Sequence, residues 1–311
     1  MQHFAVIDLG SNSARLTVWQ IDDEGSYHVV SRLKEMVRLS EGMGTDKILQ
    51  EPAIARTIAA LQGFKQDYDQ LDNLTIKAVA TAATRQAKNQ KDFLKRVKRE
   101  VGLDIEVIAG TKEAEYDYLG VVNTLPIQNA LIMDTGGAST ELILVQNRKL
   151  QHLISIPFGS VNLSERYLNP DVISASEVFN LIVAIENIFN GIWWLRQAQN
   201  LPIIALGGSN RTLAKIERRK ENFTNFEDIH GYRMHASEAN AIFTEVLNQD
   251  LEGRKAIPGL SKYRADIIVG GLVPVVTMLA FLDSDRITFS QHGLREGALF
   301  EYLTATEAER K

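Results

Sequence analysis

An internal repeat restricts the fold of this chain more than any other feature, because its second copy begins 126 residues after the first. Residues 6–18 read Val-Ile-Asp-Leu-Gly-Ser-Asn-Ser-Ala-Arg-Leu-Thr-Val, and residues 132–144 read Ile-Met-Asp-Thr-Gly-Gly-Ala-Ser-Thr-Glu-Leu-Ile-Leu. Two unrelated turns would also share Asp and Gly, since both are favoured in turns. Here the apolar strands on either side match as well. The repeat therefore predicts two related domains, each opening on a strand-turn-strand unit.

The rest of the chain alternates strand-like runs of Val, Ile and Thr with helical stretches, which is typical of α/β proteins. The length of 311 residues fits two domains. The pattern restarts near Pro126, which is the predicted boundary. Ser174 and Glu177 have the spacing of a capping box, and they predict a long helix that runs to about Gln197.

The composition excludes several classes of protein. The net charge of −5 gives no general attraction to nucleic acid or to an anionic membrane. The absence of cysteine excludes thiolate chemistry and fits a reducing compartment. The apolar run from Ile267 to Leu282 is too short to span a bilayer comfortably. We expect a cytoplasmic protein, because the start of the chain also lacks the pattern of a signal peptide.

The repeated turns suggest a phosphate site. A glycine-rich turn between strands presents backbone N–H groups to an anion. The aspartate before each turn, Asp8 or Asp134, suits Mg²⁺. Arg15 and Glu141 occupy the same position, seven residues after their aspartates, and would serve as a phosphate clamp and a metal ligand. A surface arginine and a structural glutamate are the alternative interpretations.

Through these two turns and several further motifs, the chain resembles the exopolyphosphatase/guanosine pentaphosphate phosphohydrolase (Ppx/GppA) phosphatase family. The resemblance runs in family order over nearly the whole chain. Beyond the two turns, it rests on four further motifs: Thr84-Arg-Gln-Ala87, Pro157-Phe-Gly-Ser-Val-Asn-Leu163, Leu206-Gly-Gly-Ser209 and Gly293-Leu-Arg-Glu-Gly297.

The resemblance implies an α/β fold of two actin-like (ASKHA, ribonuclease H-like) domains with a cleft between them. It places one domain at residues 1–124 plus 294–311, with the last helix returning to it, and the other at residues 125–293. The implied reaction is metal-assisted hydrolysis of a terminal phosphate.

It also implies roles for individual residues. Glu113 is the expected catalytic base, although an ordinary first-turn glutamate stabilised by the helix dipole is the alternative from sequence alone. Arg15 and Arg295 are expected to neutralise phosphate oxygens, and Asp134, Glu141 and Asp8 to hold Mg²⁺ or Mn²⁺. The expected phosphate-binding residues are Gly10, Ser11, Asn12, Ser13, Arg85, Gly136, Gly137, Ala138, Ser139, Gly207, Gly208 and Ser209.

Two positions depart from the family pattern. Ala138 stands where a third glycine is usual, so it would be strained if that position needed a positive φ. Lys112 stands where an acidic residue is common, and it would either attract polyphosphate or be solvated. Arg211, Lys215 and Arg218 share one side of a helix and could follow a polyphosphate chain, as could a second set made of Lys95, Arg96, Lys98 and Arg99.

The predicted substrate is inorganic polyphosphate, with shorter chains favoured because the sequence ends soon after the last predicted helix. Guanosine pentaphosphate is the first alternative substrate. A non-catalytic protein that binds guanosine polyphosphate or polyphosphate and regulates a partner is the second alternative, and an actin-like kinase is the third. The family resemblance also implies a homodimer.

Overall fold

A computed structural model describes residues 1–310, with side chains up to residue 306, and the chain divides into two compact units. Unit 1 consists of Met1–Gly120 together with the segment from Leu294 onward, and unit 2 is Val121–Gly293. The chain therefore passes from one unit to the other twice. The sequence-based division lies at residues 124 and 125.

Unit 1 is built on a five-stranded sheet with the order β3-β2-β1-β4-β5. The first three strands are antiparallel, and β4 and β5 run parallel to β1. Its elements are β1 (Gln2–Leu9), β2 (Ala14–Ile21), β3 (Tyr27–Glu35), α1 (Glu51–Tyr68), β4 (Leu74–Ala80), α2 (Ala82–Gln86), α3 (Gln90–Val101), β5 (Glu106–Val107) and α4 (Gly110–Val122).

Unit 2 has a six-stranded sheet with the order β10-β11-β9-β6-β7-β8. Here β6, β7 and β8 are antiparallel, β9 and β11 run parallel to β6, and β10 is an antiparallel edge strand. The elements are β6 (Ala130–Thr135), β7 (Thr140–Gln146), β8 (Lys149–Ile156), α5 (Ser160–Tyr167), α6 (Ala175–Asn190), β9 (Ile203–Leu206), α7 (Gly208–Lys220), β10 (Arg233–His235), α8 (Ala236–Leu247), α9 (Leu251–Ala256), α10 (Ile268–Phe281) and β11 (Arg286–Phe289). The chain then returns to unit 1 as α11 (Leu294–Arg310).

The two sheets share one strand order, because β8-β7-β6-β9-β11 repeats β3-β2-β1-β4-β5. The internal repeat therefore reflects a duplicated topology and not two unrelated turns. The predicted α/β class with two actin-like units is confirmed.

Both faces of the unit 1 sheet are covered by helices. On one face, Phe64 of α1 and Phe93 of α3 are fully buried in the larger core of this unit. On the other face, Tyr116 of α4 and Leu299 of α11 pack against Trp19. Fully burying one such side chain stabilises the fold by roughly 1.5–3 kcal/mol. The returning helix α11 is thus part of the core of unit 1.

The apolar run from Ile267 to Leu282 contains helix α10, which lies in the core of unit 2. Glycines let neighbouring helices approach it closely. A Cβ added at Gly270 would lie 2.3 Å from Ser164 Oγ, and one added at Gly271 would lie 2.2 Å from Ser209 Oγ. Within the described part of the chain, no helix has the length and apolar character needed to cross a bilayer.

Helix α6 begins where the capping box predicts. Ser174 Oγ accepts a hydrogen bond from the backbone N–H of Glu177, and the Glu177 carboxylate accepts one from the backbone N–H of Ser174. The predicted end near Gln197 is wrong, because α6 ends at Asn190 and Gly191 caps it. A short 3₁₀ helix occupies Leu195–Ala198 instead.

Candidate active site

The two repeated turns have the same backbone geometry. Asp8 faces Arg15 across β1 and β2, and Asp134 faces Glu141 across β6 and β7. The N–H of Gly10 donates to the carbonyl of Ser13 over 3.1 Å, and the N–H of Gly136 donates to the carbonyl of Ser139 over 3.0 Å. The matched charged positions of the sequence are therefore directly opposed pairs in the folded chain.

In unit 2, backbone N–H groups of helix α5 donate hydrogen bonds to the carbonyl groups of the turn. The N–H of Ser160 donates to the carbonyl of Gly136 over 2.9 Å, and that of Val161 donates to the carbonyl of Gly137 over 2.8 Å. Because the C=O and the following N–H of a trans peptide point in opposite directions, the N–H groups of Gly137 and Ala138 point away from α5. Adjacent amides that point the same way form an anion-binding nest.

Gly159 packs directly against the backbone of this turn. A Cβ added there would lie 2.6 Å from the Gly136 oxygen and 2.7 Å from the Ala138 nitrogen, which is closer than atoms of a real side chain approach. Ala138 itself does not have a positive φ. The strain considered for alanine at this position is therefore absent from the structure.

The turn of unit 1 is held in the same way by the loop after β3. The N–H of Ser40 donates to the Ser11 carbonyl over 2.9 Å, and the N–H of Arg38 donates to the Asn12 carbonyl over 3.0 Å. The amides of Asn12 and Ser13 consequently point away from this loop. The Asn12 side chain is buried, and its amide nitrogen and oxygen have no hydrogen-bond partner among the described residues. A ligand that binds at this turn would satisfy them.

Asp134 and Glu141 form the acidic part of unit 2. Directly opposed residues of antiparallel strands have Cβ atoms about 4.5–5.5 Å apart, so the two carboxylates repel each other unless a cation lies between them. Glu141 is only 1% exposed, and its Oε1 accepts a hydrogen bond of 2.7 Å from Ser155 Oγ. Gly207, with φ of +90°, packs so closely that a Cβ there would lie 2.8 Å from Asp134 Oδ1. Both carboxylates are therefore fixed in place.

This pair fits a magnesium ion. Mg²⁺ in phosphate-processing sites usually takes one or two carboxylates, with water and substrate phosphate as the other ligands. Among the described residues, no three His, Asp or Glu side chains are grouped to hold a metal. Asp8 has a different environment, because its Oδ2 lies 4.0 Å from Arg15 Nη1 in unit 1. Asp134 and Glu141 are therefore the better supported of the three predicted ligands.

Glu113 lies in the first turn of α4 and contacts Arg85. The Arg85 Nη1 donates to Glu113 Oε2 over 3.2 Å and to the carbonyl of Ile108 over 2.9 Å. The Glu113 side chain is 13% exposed, so a mostly buried carboxylate is held by a guanidinium. Arg85, predicted to bind phosphate, orients the predicted base in this structure.

Arg295 lies at the start of α11 and donates from Nη1 to Thr17 Oγ1 over 2.7 Å. Thr17 and Arg15 are two residues apart on β2 and so face the same side of the sheet. Gly297 packs against α4, where a Cβ would lie 1.9 Å from the Tyr116 carbonyl oxygen. The Gly-Leu-Arg-Glu-Gly segment therefore joins α11 to both β2 and α4.

The Lys112 side chain is only partly exposed, and it forms an ion pair within the protein. Its Nζ lies 2.7 Å from Glu301 Oε1 on α11. The other oxygen of Glu301 accepts hydrogen bonds from Lys77 over 2.9 Å and from Tyr116 over 2.7 Å. Burial raises the pKa of Glu301, but these three hydrogen bonds lower it to about 2. We refer to Lys77, Lys112, Tyr116 and Glu301 as the Glu301 cluster.

The glycines after β9 admit an arginine that no sequence motif indicated. A Cβ at Gly208 would overlap the Arg264 guanidinium, with Nη2 at 2.1 Å. Gly208 is the first residue of α7, and a helix N-terminus attracts anions. A buried arginine beside it adds positive charge to the same place. The Ser209 hydroxyl faces Gly271 of α10 instead, so only the backbone of Ser209 remains in the predicted phosphate-binding set.

The basic residues of the two other helices interact with nearby protein groups. On α7, Lys215 Nζ lies 2.6 Å from Glu227 Oε1, and the Arg218 guanidinium lies 4.2 Å from the centre of the Phe223 ring. On α3, Arg96 forms ion pairs with two glutamates. The basic residues of both helices therefore make contacts within the protein. The spacing of these residues in the sequence does not distinguish such contacts from polyphosphate binding.

Comparison with known proteins gives a consistent result. The sequence model described as the Ppx/GppA phosphatase family matches residues 17–306. A solved structure of a Ppx/GppA family member from Aquifex aeolicus is 31% identical, with a TM-score of 0.80 over 100% of this chain and 99% of that one. A solved exopolyphosphatase from Cytophaga hutchinsonii is 26% identical, with a TM-score of 0.88 over 98% of each chain.

Two curated relatives are longer proteins. A guanosine-5'-triphosphate,3'-diphosphate pyrophosphatase from Vibrio atlanticus is 30% identical over 96% of this chain and 59% of its own length. A bifunctional 3-dehydroquinate synthase/phosphatase from Fusobacterium nucleatum is 29% identical over 96% of this chain and 46% of its own length. The chain thus spans about half the length of these relatives.

Proposed function

The chain belongs to the Ppx/GppA phosphatase family, and we propose that it is an exopolyphosphatase, which releases terminal orthophosphate from inorganic polyphosphate by attack of water. The observation that supports this most strongly is the unit 2 turn, where amides that point away from α5 lie next to Asp134 and Glu141. Such a turn offers a phosphate its hydrogen bonds and offers its counterion two ligands.

In the proposed reaction, Asp134 and Glu141 hold Mg²⁺ or Mn²⁺. When bound, the ion neutralises charge on the phosphate oxygens and polarises the phosphorus–oxygen bond that breaks. The amides of Gly137, Ala138 and Ser139 bind one phosphoryl group. Within unit 1, the amides of Asn12 and Ser13 and the Asn12 side chain offer a phosphoryl group hydrogen bonds of the same kind.

Glu113 is the proposed base. Its carboxylate accepts a proton from the attacking water, whose oxygen forms a bond to the terminal phosphorus. The bridging oxygen leaves with the shortened chain and keeps the electron pair of the broken bond. Arg85 orients Glu113, and Arg15 and Arg295 neutralise charge that grows on the equatorial oxygens. Phosphoryl transfer asks little more of a protein than this positioning and charge neutralisation.

The test is a measurement of phosphate release by the purified protein from short polyphosphate, long polyphosphate and guanosine pentaphosphate. We expect turnover that depends on Mg²⁺, that is abolished by a chelator, and that is fastest on polyphosphate. Asp134→Asn, prepared identically, shows how much activity comes from contaminating phosphatases. Equal rates for Asp134→Asn and wild type would remove the proposal.

Guanosine pentaphosphate phosphohydrolase is the second candidate. It is favoured by the similarity to the guanosine-5'-triphosphate,3'-diphosphate pyrophosphatase of Vibrio atlanticus. It is also favoured by the buried Arg264 at the start of α7, which offers an anion site beyond those for a linear row of phosphates. Faster turnover of guanosine pentaphosphate than of either polyphosphate would select it.

The same assay separates the remaining alternatives. A kinase of the actin-like fold would release no phosphate without an acceptor. A non-catalytic regulator would bind polyphosphate or a guanosine polyphosphate in Mg²⁺ with no turnover. The buried and oriented Glu113 and the paired acids of unit 2 support a hydrolase over both.

A further inference from the structure

A cavity of about 700 Å³ lies in unit 2, at the end of the sheet where strands β6, β9 and β11 begin. Asp134 is near the other end of β6, four residues from Ala130, or roughly 13 Å away at the rise of a strand. The cavity is therefore separate from the candidate active site. Its apolar lining consists of Leu125, Pro126, Ile127, Leu201, Pro202 and Ile204.

One wall of the cavity is fixed by a single arginine. The backbone N–H of Arg148 donates to the carbonyl of Gln128 over 2.9 Å. Its guanidinium donates to the carbonyl of Ile127 over 3.2 Å and to that of Val122. Three hydrogen bonds thus hold the segment from Val122 to Gln128. The cavity is formed before any ligand binds, as small-molecule sites usually are.

Two cations line the same cavity. Arg233 of β10 is paired in register with Thr288, and Thr288 is paired with Ile204. Arg286 precedes Thr288 by two residues, so it lies diagonally opposite Arg233 on the same face of the sheet. Both arginines are exposed, and their positions in the sheet are about 7–8 Å apart. Two cations at neighbouring positions attract an anion placed between them.

Nearby acidic residues neutralise the charges of these two arginines only weakly. Arg286 Nη1 lies 3.3 Å from Asp285 Oδ1, and the two side chains are 52% and 70% exposed. Exposed pairs of this kind contribute little to stability. Arg233 has no ion pair with another residue in the part of the chain that the structure describes.

We propose that this cavity is a second ligand site, which binds a nucleoside diphosphate or triphosphate. Guanidinium groups suit phosphate oxygens. The apolar wall around Ile204 and Leu201 suits the flat face of a base, and the side-chain amides of Gln128 and Asn129 suit its polar edge. The volume lies within the range of about 300–1,000 Å³ typical of small-molecule pockets. Inorganic polyphosphate would leave the apolar wall unused.

The position of the cavity also predicts an effect on catalysis. This effect rests on the proposed function, whereas the binding of a nucleotide does not. The segment from Val122 to Gln128 begins at the last residue of α4, and the first turn of α4 contains Glu113. A nucleotide in the cavity therefore contacts the segment that continues the helix of the proposed base. We expect bound nucleotide to change the rate of phosphate release.

The experiment is calorimetric titration of the full chain with ADP, GDP and pyrophosphate in Mg²⁺-free buffer. The variants are Arg233→Ala/Arg286→Ala, which removes both cations, and Thr288→Tyr, which fills the cavity and keeps both arginines. Lys220→Ala/Lys255→Ala removes the same charge elsewhere in unit 2. Arg15→Ala tests binding at the candidate active site. Phosphate release is measured on each variant.

We expect ADP or GDP to bind more tightly than pyrophosphate. Binding should weaken at least tenfold in both cavity variants and stay unchanged in the lysine control and in Arg15→Ala. The proposal is wrong if neither nucleotide binds the wild type, if only Arg15→Ala loses binding, or if pyrophosphate binds as tightly as the nucleotides. If the arginine variant does not fold, unchanged binding by Thr288→Tyr would still overturn the proposal. Phosphate release without nucleotide should be normal in the cavity variants.

Discussion

Replacing Gly159 by alanine adds one methyl group directly beneath the phosphate turn of unit 2. The new Cβ would lie 2.6 Å from both the Gly136 oxygen and the Gly137 carbonyl carbon, and 2.7 Å from the Ala138 nitrogen. Ordinary van der Waals contact begins at 3.4 Å. The turn and α5 must therefore separate by about 0.8 Å, the difference between those two distances. All three obstructing atoms are backbone, so no side chain can rotate away to make room.

This separation displaces the amides that are proposed to bind phosphate. A misplacement of about 1 Å in an active site can lower the rate on the order of 10²-fold. Overpacking of this kind costs about 1–3 kcal/mol of stability, which most folded proteins tolerate. We therefore expect Gly159→Ala to lower kcat for phosphate release by roughly 10–100-fold, with the protein still folded at 25 °C.

The assay is steady-state phosphate release from polyphosphate, combined with thermal unfolding of the same preparation. Gly63→Ala is the matched control, because Gly63 is exposed on α1 and a Cβ there meets nothing within 4 Å. Alanine at an exposed helix position should raise stability by about 0.5–1 kcal/mol and leave kcat unchanged. Wild-type kcat and KM in Gly159→Ala would mean that phosphate release does not depend on the position of these amides.

Two further predictions concern the metal pair and the Glu301 cluster. Ser155→Ala removes the hydroxyl that donates to Glu141, and we expect the Mg²⁺ concentration for half-maximal activity to rise by about 10–100-fold; a magnesium titration that matches wild type would show that this hydrogen bond does not position a metal ligand. Because the pKa of Glu301 is lowered from 4.5 to about 2, its charged form stabilises the fold above pH 4.5, and this contribution disappears as the pH falls toward 2. Glu301→Gln should therefore lower the urea midpoint at pH 7 and have a smaller effect near pH 2.5, whereas an equal loss at both pH values would contradict the assigned charge state.

The sequence predicts the parts of this fold that depend on local pattern. The apolar strands around each Asp-Gly turn fix the hairpin register, and with it the opposition of Asp134 to Glu141. The capping box at Ser174 and Glu177 fixes the start of α6. The helix ends earlier than the apolar pattern predicts, because that pattern continues past Gly191. The pattern alone does not show that the chain leaves the helix there.

The rest depends on contacts between residues far apart in the chain. Lys112 and Glu301 are 189 residues apart, so the departure from the family pattern at Lys112 has no explanation until α11 is placed on α4. Arg264 lies in no motif and reaches Gly208 only through the tertiary fold. For the basic residues of α7, helical spacing alone does not distinguish a ligand surface from the ion pair and ring contacts that the structure shows.

The proposed chemistry depends on Glu113 as the base of a phosphohydrolase. The initial rate of phosphate release from polyphosphate is measured for Glu113→Gln, with Glu115→Gln as a control that makes the same change two residues along α4. A general base contributes about 10²–10⁴-fold, so the Glu113 variant should lose at least a hundredfold in kcat with a nearly unchanged KM, and the Glu115 variant should retain most of its activity. Wild-type turnover by Glu113→Gln would contradict the account.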